Sequence, residues 1–150
     1  MKDPNLNLLE AAVRLLQPLL DELVFASGCA TGLLITDPAA SGIRPTKDVD
    51  AITEVASYAE YATLSERLRA LGLHEDHSED APTCRWRYQD LIIDVMPTDE
   101  RVLGFSNRWY APAISSAGYM DIAGLRIRLI TPTYFLATKL EAFQIGRAHV

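Results

Sequence analysis

The chain predicts an α/β (α+β) fold built on a mixed, mainly antiparallel sheet with flanking helices, and three observations predict it. Apolar residues recur at helical spacing near residues 8–20, 58–71 and 133–143. Between these segments lie short strand-like runs, four of them paired across the two-residue turns Gln89-Asp90 and Ala123-Gly124. A further run, Asp48-Val49-Asp50, sets two carboxylates on one side of a strand and an apolar residue on the other.

Length and composition bound the rest. At 150 residues, 49% apolar and 23% charged, the chain reads as one soluble domain with a real core, and no apolar run reaches the length of a membrane span. Met1-Lys2-Asp3-Pro4-Asn5 lacks the apolar stretch of a secretion signal, so Cys29 and Cys84 read as reduced thiols in a cytoplasm rather than a disulfide. A net charge of −6 argues against a broad nucleic-acid footprint. Arginines at 85, 87, 101, 108, 126 and 128 still leave room for a basic rim.

In chain order, Leu8 to Leu20 form an amphipathic helix with Asn5 or Asn7 as cap and Pro18 disturbing its last turn. Leu23-Val24-Phe25-Ala26 is a buried strand delivering the turn Ser27-Gly28-Cys29-Ala30, and Cys29 to Ile35 reads as a short helix whose first amides face phosphate oxygens or simply pack. Residues 36–45 are a turn-rich loop leading to the strand Asp48 to Ile52. Arg44 and Lys47 beside it are either phosphate contacts or solvated side chains.

Tyr58 to Leu71 is a helix stopped by Gly72, with Tyr58, Tyr61, Leu64, Leu68 and Leu71 assigned to the core. His74 and His77 with Cys84 lack a fourth ligand and make a poor zinc site. The strand Thr83 to Tyr88 puts Arg85 and Arg87 on one face and Cys84, Trp86 and Tyr88 on the other, and Leu91 to Met96 returns beside it carrying Asp94. Residues 97–112 read as an irregular connection whose Arg108-Trp109-Tyr110 either stack on a base or cover the core edge. The hairpin Tyr119 to Ile130 leads to a helix with Thr131 as cap and Pro132 first. That helix sends Tyr134, Phe135, Leu136, Leu140 and Phe143 inward, sets Lys139 among them and leaves Glu141 structural.

The chemistry centres on Asp48, Asp50 and Asp94. Two adjacent carboxylates repel unless a cation lies between them, and two divalent ions roughly 3.5–4 Å apart turn that repulsion into ligation. Asp94 in the apolar run Leu91-Ile92-Ile93-Asp94-Val95-Met96 needs a metal or a strong donor. Metal ligation is the reading taken here over a salt-bridged structural Asp, because pairing with an arginine would spoil a metal triad.

This constellation resembles the nucleotidyltransferase superfamily, and more closely its AbiEii/AbiGii-like branch, which includes toxins of type IV toxin–antitoxin systems. The residues carrying the resemblance are Ser27-Gly28-Cys29-Ala30, Arg44-Pro45-Thr46-Lys47-Asp48-Val49-Asp50, Asp94-Val95-Met96-Pro97 and the segment Thr131 to Phe143. Ser27 stands where the family has a Gly, and the loop to Asp48 is longer than usual. The resemblance implies a nucleotidyltransferase-type sheet and transfer of a nucleoside monophosphate from an NTP to a hydroxyl acceptor. It implies two Mg²⁺ or Mn²⁺ ions on Asp48, Asp50 and Asp94, and phosphates held by Ser27, Gly28, Cys29, Lys47 and Lys139. It further implies RNA or tRNA as acceptor and a cognate antitoxin as partner. Rival readings are an inactive nucleotide-binding module and a partner-binding component of a toxin–antitoxin pair.

Residues 1–144 are expected to form a catalytic domain that the family would continue past its present end. Ile145-Gly146-Arg147-Ala148-His149-Val150 matches one frame of a common sequencing adapter and reads as an artefact.

Overall fold

A computed structural model describes residues 4–26, 48–55, 57–99, 102 and 107–148. Its first helix, α1 (Pro4–Leu15), takes a proline at the first turn, where a missing N–H costs nothing, so Asn5 and Asn7 lie inside the helix instead of capping it. Leu9, Ala12, Val13 and then Leu16 are buried along one stripe. Pro18 converts the continuation into a 3-10 helix, Gln17–Glu22, which hands the chain to β1 (Leu23–Phe25).

Next come β2 (Asp48–Thr53), α2 (Tyr58–Ala70), β3 (His74–Glu75), β4 (Arg85–Tyr88), β5 (Leu91–Pro97), α3 (Tyr110–Ser115), β6 (Gly118–Ile122), β7 (Leu125–Leu129) and α4 (Pro132–Ala148). Ser57 Oγ caps α2 by accepting the Glu60 N–H at 3.1 Å, and Gly72 ends it at φ +98°, where a side chain would be strained. In the β6–β7 turn Ala123 and Gly124 both have positive φ, which matches the right-handed twist of the strands they join.

The seven strands form one mixed sheet in the order β3-β4-β5-β2-β1-β7-β6. Four pairings are antiparallel; β2–β5 and β1–β7 are parallel. Alternation sends Val49, Ala51, Trp86, Ile93 and Val95 to one face, where they are buried with Leu9, Val13, Leu64 and Leu68 of α1 and α2. Each such buried Leu, Ile or Val contributes about 1.5–3 kcal/mol.

The opposite face carries the aspartates, and helices pack on it as well. Val24, Ile52 and Ile130 there are covered by Ala113 and Ile114 of α3 and by Tyr134 and Phe135 of α4. This α4 face is Tyr134, Phe135 and Thr138, so Leu136 and Leu140 point outward at 59% and 55% exposure. The Phe143 side chain lies outside the described residues. Tyr58, at the first position of α2, is exposed rather than in the core. The segment expected to be irregular contains α3, because Pro112 sits within the first turn, where it removes no helical hydrogen bond. Among the described residues no helix is long and apolar enough to cross a membrane.

Candidate active site

Backbone pairing builds the site. In the parallel β2–β5 ladder Asp50 lies opposite Asp94, and Asp48 precedes Asp50 by one pleat on the same face. One carboxylate oxygen from each of the three lies within 4.8 Å of the others, the only such gathering of His, Cys, Asp or Glu among the described residues. Hard oxygen donors at this spacing suit a divalent cation such as Mg²⁺ or Mn²⁺. His74, His77 and Cys84 form no such group, and burial pushes the Cys84 thiol up to about 12, which disfavours the thiolate a metal would need.

The three carboxyls are not equivalent. Burial, then repulsion from Asp48, raises Asp50 to about 7 against the opposing pull of Lys139. Burial also lifts Asp94 above the usual carboxylate range, with Asp48 adding to the lift and Arg85 opposing it. Lys139 reaches in from α4, its Nζ 3.7 Å from Asp50 Oδ2 and 5.5 Å from the centre of the Phe135 ring. A cleft of about 280 Å³ opens over the carboxylates, bordered by Ala26, Met96, Tyr110, Thr138 and Lys139. A larger one, about 490 Å³, lies around Thr53, Glu54 and Arg128, away from the three carboxylates.

One expectation is overturned. Asp94 does have an arginine: Arg85 Nε donates to Oδ1 at 2.9 Å and Nη2 to Oδ2 at 3.0 Å, and Nη2 lies 3.7 Å from Asp48 Oδ2. The cause is register, since Arg85 stands directly across from Asp94 in the β4–β5 hairpin. The signal was in the sequence: a two-residue turn pairs Tyr88 with Leu91 and, three residues back along each strand, Arg85 with Asp94.

Sequence reasoning also missed Asn107. Its buried side chain donates to the Thr138 carbonyl at 2.8 Å and accepts the Trp109 N–H at 3.0 Å, fixing the approach to α3 against α4. The Trp109 and Tyr134 ring centres are 6.3 Å apart, the Arg108 guanidinium lies over the Trp109 ring at 5.2 Å, and Arg108 pairs with Glu141, so this segment is engaged in docking the two helices. Glu141 is structural, as the sequence suggests. Ser27, Gly28, Cys29, Arg44 and Lys47 lie outside the described residues.

With this geometry in view, the comparison that decides the fold is a solved structure. The crystal structure of an antigenic nucleotidyltransferase-like protein from Paracoccidioides brasiliensis superposes with a TM-score of 0.57 over 90% of this chain, at 20% identity. The fold is nucleotidyltransferase-like. The chain spans 64% of the length of that protein. No family model and no curated protein sequence matches it. Within the nucleotidyltransferase-like sheet the carboxylates stand on neighbouring strands at the mouth of a cleft that α3 and α4 wall off.

Proposed function

We propose that the protein is a metal-dependent nucleotidyltransferase moving a nucleoside monophosphate from an NTP to a hydroxyl acceptor. The observation that carries this reading is the Asp50–Asp94 register pair with Asp48 beside it, in this fold and beside a lysine. Asp48 and Asp50 hold a divalent ion, Mg²⁺ or Mn²⁺. When bound, such an ion neutralises triphosphate charge and makes an acceptor hydroxyl easier to deprotonate. Lys139 holds the triphosphate, with Ser27, Gly28, Cys29 and Lys47 as further phosphate-binding residues. Asp94 assists deprotonation of the acceptor. Positioning and charge complementarity supply most of the rate, since phosphoryl chemistry asks little covalent work of the protein.

RNA, tRNA included, is the acceptor we propose, with the chain acting as an AbiEii-like toxin in the cytoplasm and an antitoxin as its partner. The support is the motif resemblance together with the fold. Incubating the protein with total RNA, Mg²⁺ and each NTP labelled at the α-phosphate should transfer label to RNA. Label reaching no acceptor while Mg²⁺-dependent NTP binding persists would select the second reading, an inactive nucleotide-binding module. The observation favouring that alternative is the two-pronged grip of Arg85 on Asp94.

A further inference from the structure

Arg85 is built into the carboxylate centre by the sheet itself. The Val95 N–H donates to the Cys84 carbonyl at 3.0 Å, so the next pair along the antiparallel ladder, Arg85 and Asp94, is the non-hydrogen-bonded one, in which facing side chains come closest. Moving the Arg85 backbone out of register with Asp94 by one residue would slip the hairpin and expose Trp86 and Ile93, both buried on the far face. The guanidinium fork meets both oxygens of Asp94 at 2.9 and 3.0 Å and leans toward Asp48. This planar fork carries a fixed charge and matches carboxylate geometry. Its neighbour Arg87 is engaged by Asp76 at 2.5 Å, so the two arginines do not exchange partners.

A second divalent ion on Asp94 would have to share its two oxygens with the guanidinium fork and sit against a permanent positive charge at close range. Of the three carboxylates lining the cleft, Asp48 and Asp50, one pleat apart on β2, are the more exposed, at 31% and 17% of their side chains against 9% for Asp94. We propose that Arg85 is a resident cation of this centre: it takes up the charge of Asp94, so that the centre accepts one divalent ion, held by Asp48 and Asp50, instead of two. This rests on the metal-dependent reading above and deepens it, making Arg85 a positioning residue that holds Asp94 in place.

The test counts metal rather than product. Equilibrium dialysis against millimolar Mn²⁺, with electron paramagnetic resonance of the bound ion, should give one Mn²⁺ per wild-type chain with an uncoupled six-line spectrum. Arg85→Met, which keeps the stem and removes the charge, should bind two and show the broadening of a close, spin-coupled pair. Arg85→Lys and Arg87→Met should stay at one, and Asp50→Asn should lose the ion. Two ions in the wild type, or one in a folded Arg85→Met protein, would overturn the proposal and leave the metal-dependent reading intact. No bound Mn²⁺ in any of the proteins would overturn both. Should Arg85→Met fail to fold, the wild-type count and the Arg85→Lys spectrum still decide.

Discussion

Arg85 and Arg87 stand two residues apart on the same face of β4, each clasping an aspartate, yet the two aspartates are driven in opposite directions. Asp76 accepts the Ser78 hydroxyl at 2.6 Å, the Arg87 Nε at 2.5 Å and the Ser78 N–H at 3.0 Å, and these donors hold its carboxyl well below the usual range. Asp94 has an equally good arginine, but burial and the nearby Asp48 outweigh it, and its carboxyl is raised. A guanidinium therefore does not by itself decide how an aspartate behaves. An acid surrounded by donors is a fastening; an acid crowded by other acids stays short of positive charge even when paired, which is the condition of a cation-binding centre.

The largest effect should separate the two regions by activity. Asp50→Asn should cut nucleotide transfer to RNA by roughly 10³-fold, the size of a lost transition-state charge contact, whereas Asp76→Asn should leave transfer rates near wild type. Equal losses from the two changes would dissolve the contrast. Lys139→Met comes next: losing a charge-assisted contact to phosphate should reduce kcat/KM by about 1.5–3 kcal/mol, with partial recovery in Lys139→Arg and an unchanged melting temperature. Unaltered kinetics in Lys139→Met would remove this lysine from substrate binding.

Stability in the metal-free protein should rank the arginines. Arg85→Met strands a carboxylate that is only 9% exposed at its side chain and should cost about 2–3 kcal/mol in urea unfolding. Arg87→Met should cost less: the Asp76 side chain it strands is 6% exposed, but it keeps the Ser78 hydroxyl and N–H as donors, and Arg87 itself is 40% exposed. The reverse ranking would place the structural burden on the outer pair.

The smallest effect is one of pH, and its sign differs between the regions. Asp50, raised to about 7 when folded, holds its proton more tightly than in the unfolded chain, where a carboxyl titrates near 4. Its stabilising share is therefore full below about pH 4 and is lost as pH rises through about 7. Asp76, depressed when folded, contributes stability above about pH 4 that is lost as pH falls through its lowered value. Without metal, Asp50→Asn should raise the melting temperature by about 3–6 °C at pH 8 and by little at pH 4, while Asp76→Asn should lower it at pH 8. A difference from wild type that stays constant across this range would refute the assignment for either residue.

Much of the fold was legible because period-two alternation and turn chemistry are local signals. Asp48, Val49 and Asp50 declare their faces, and Ala123-Gly124 declares its hairpin. The shared face of Asp50 and Asp94 was also readable, but their direct apposition was not, since parallel neighbours 44 residues apart leave no local trace of register. The arginine opposite Asp94 was readable from the length of the turn, and was obscured by treating a metal ligand and an ion-paired Asp as exclusive. Helix faces were read less well. Leu136 and Leu140 look like core by hydropathy, yet the orientation of α4 is set by Tyr134 and Phe135 packed against the cluster of Val24, Ile52 and Ile130, a tertiary choice that spacing alone does not encode.

β1 is three residues long, and it is the seam on which the sheet is joined. On one side it carries β2 with Asp48 and Asp50 and, beyond it, β5 with Asp94 and β4 with Arg85; on the other it holds β7 through the pairs Val24–Arg128 and Phe25–Leu129. Lys139 belongs to the far side, since α4 follows β7 directly. The acids and the arginine thus share one continuous hydrogen-bonded panel, while the lysine that faces Asp50 arrives with a different panel, fastened across two rungs. The centre is a junction between two substructures, and the spacing of its positive and negative walls is governed by a strand of only three residues.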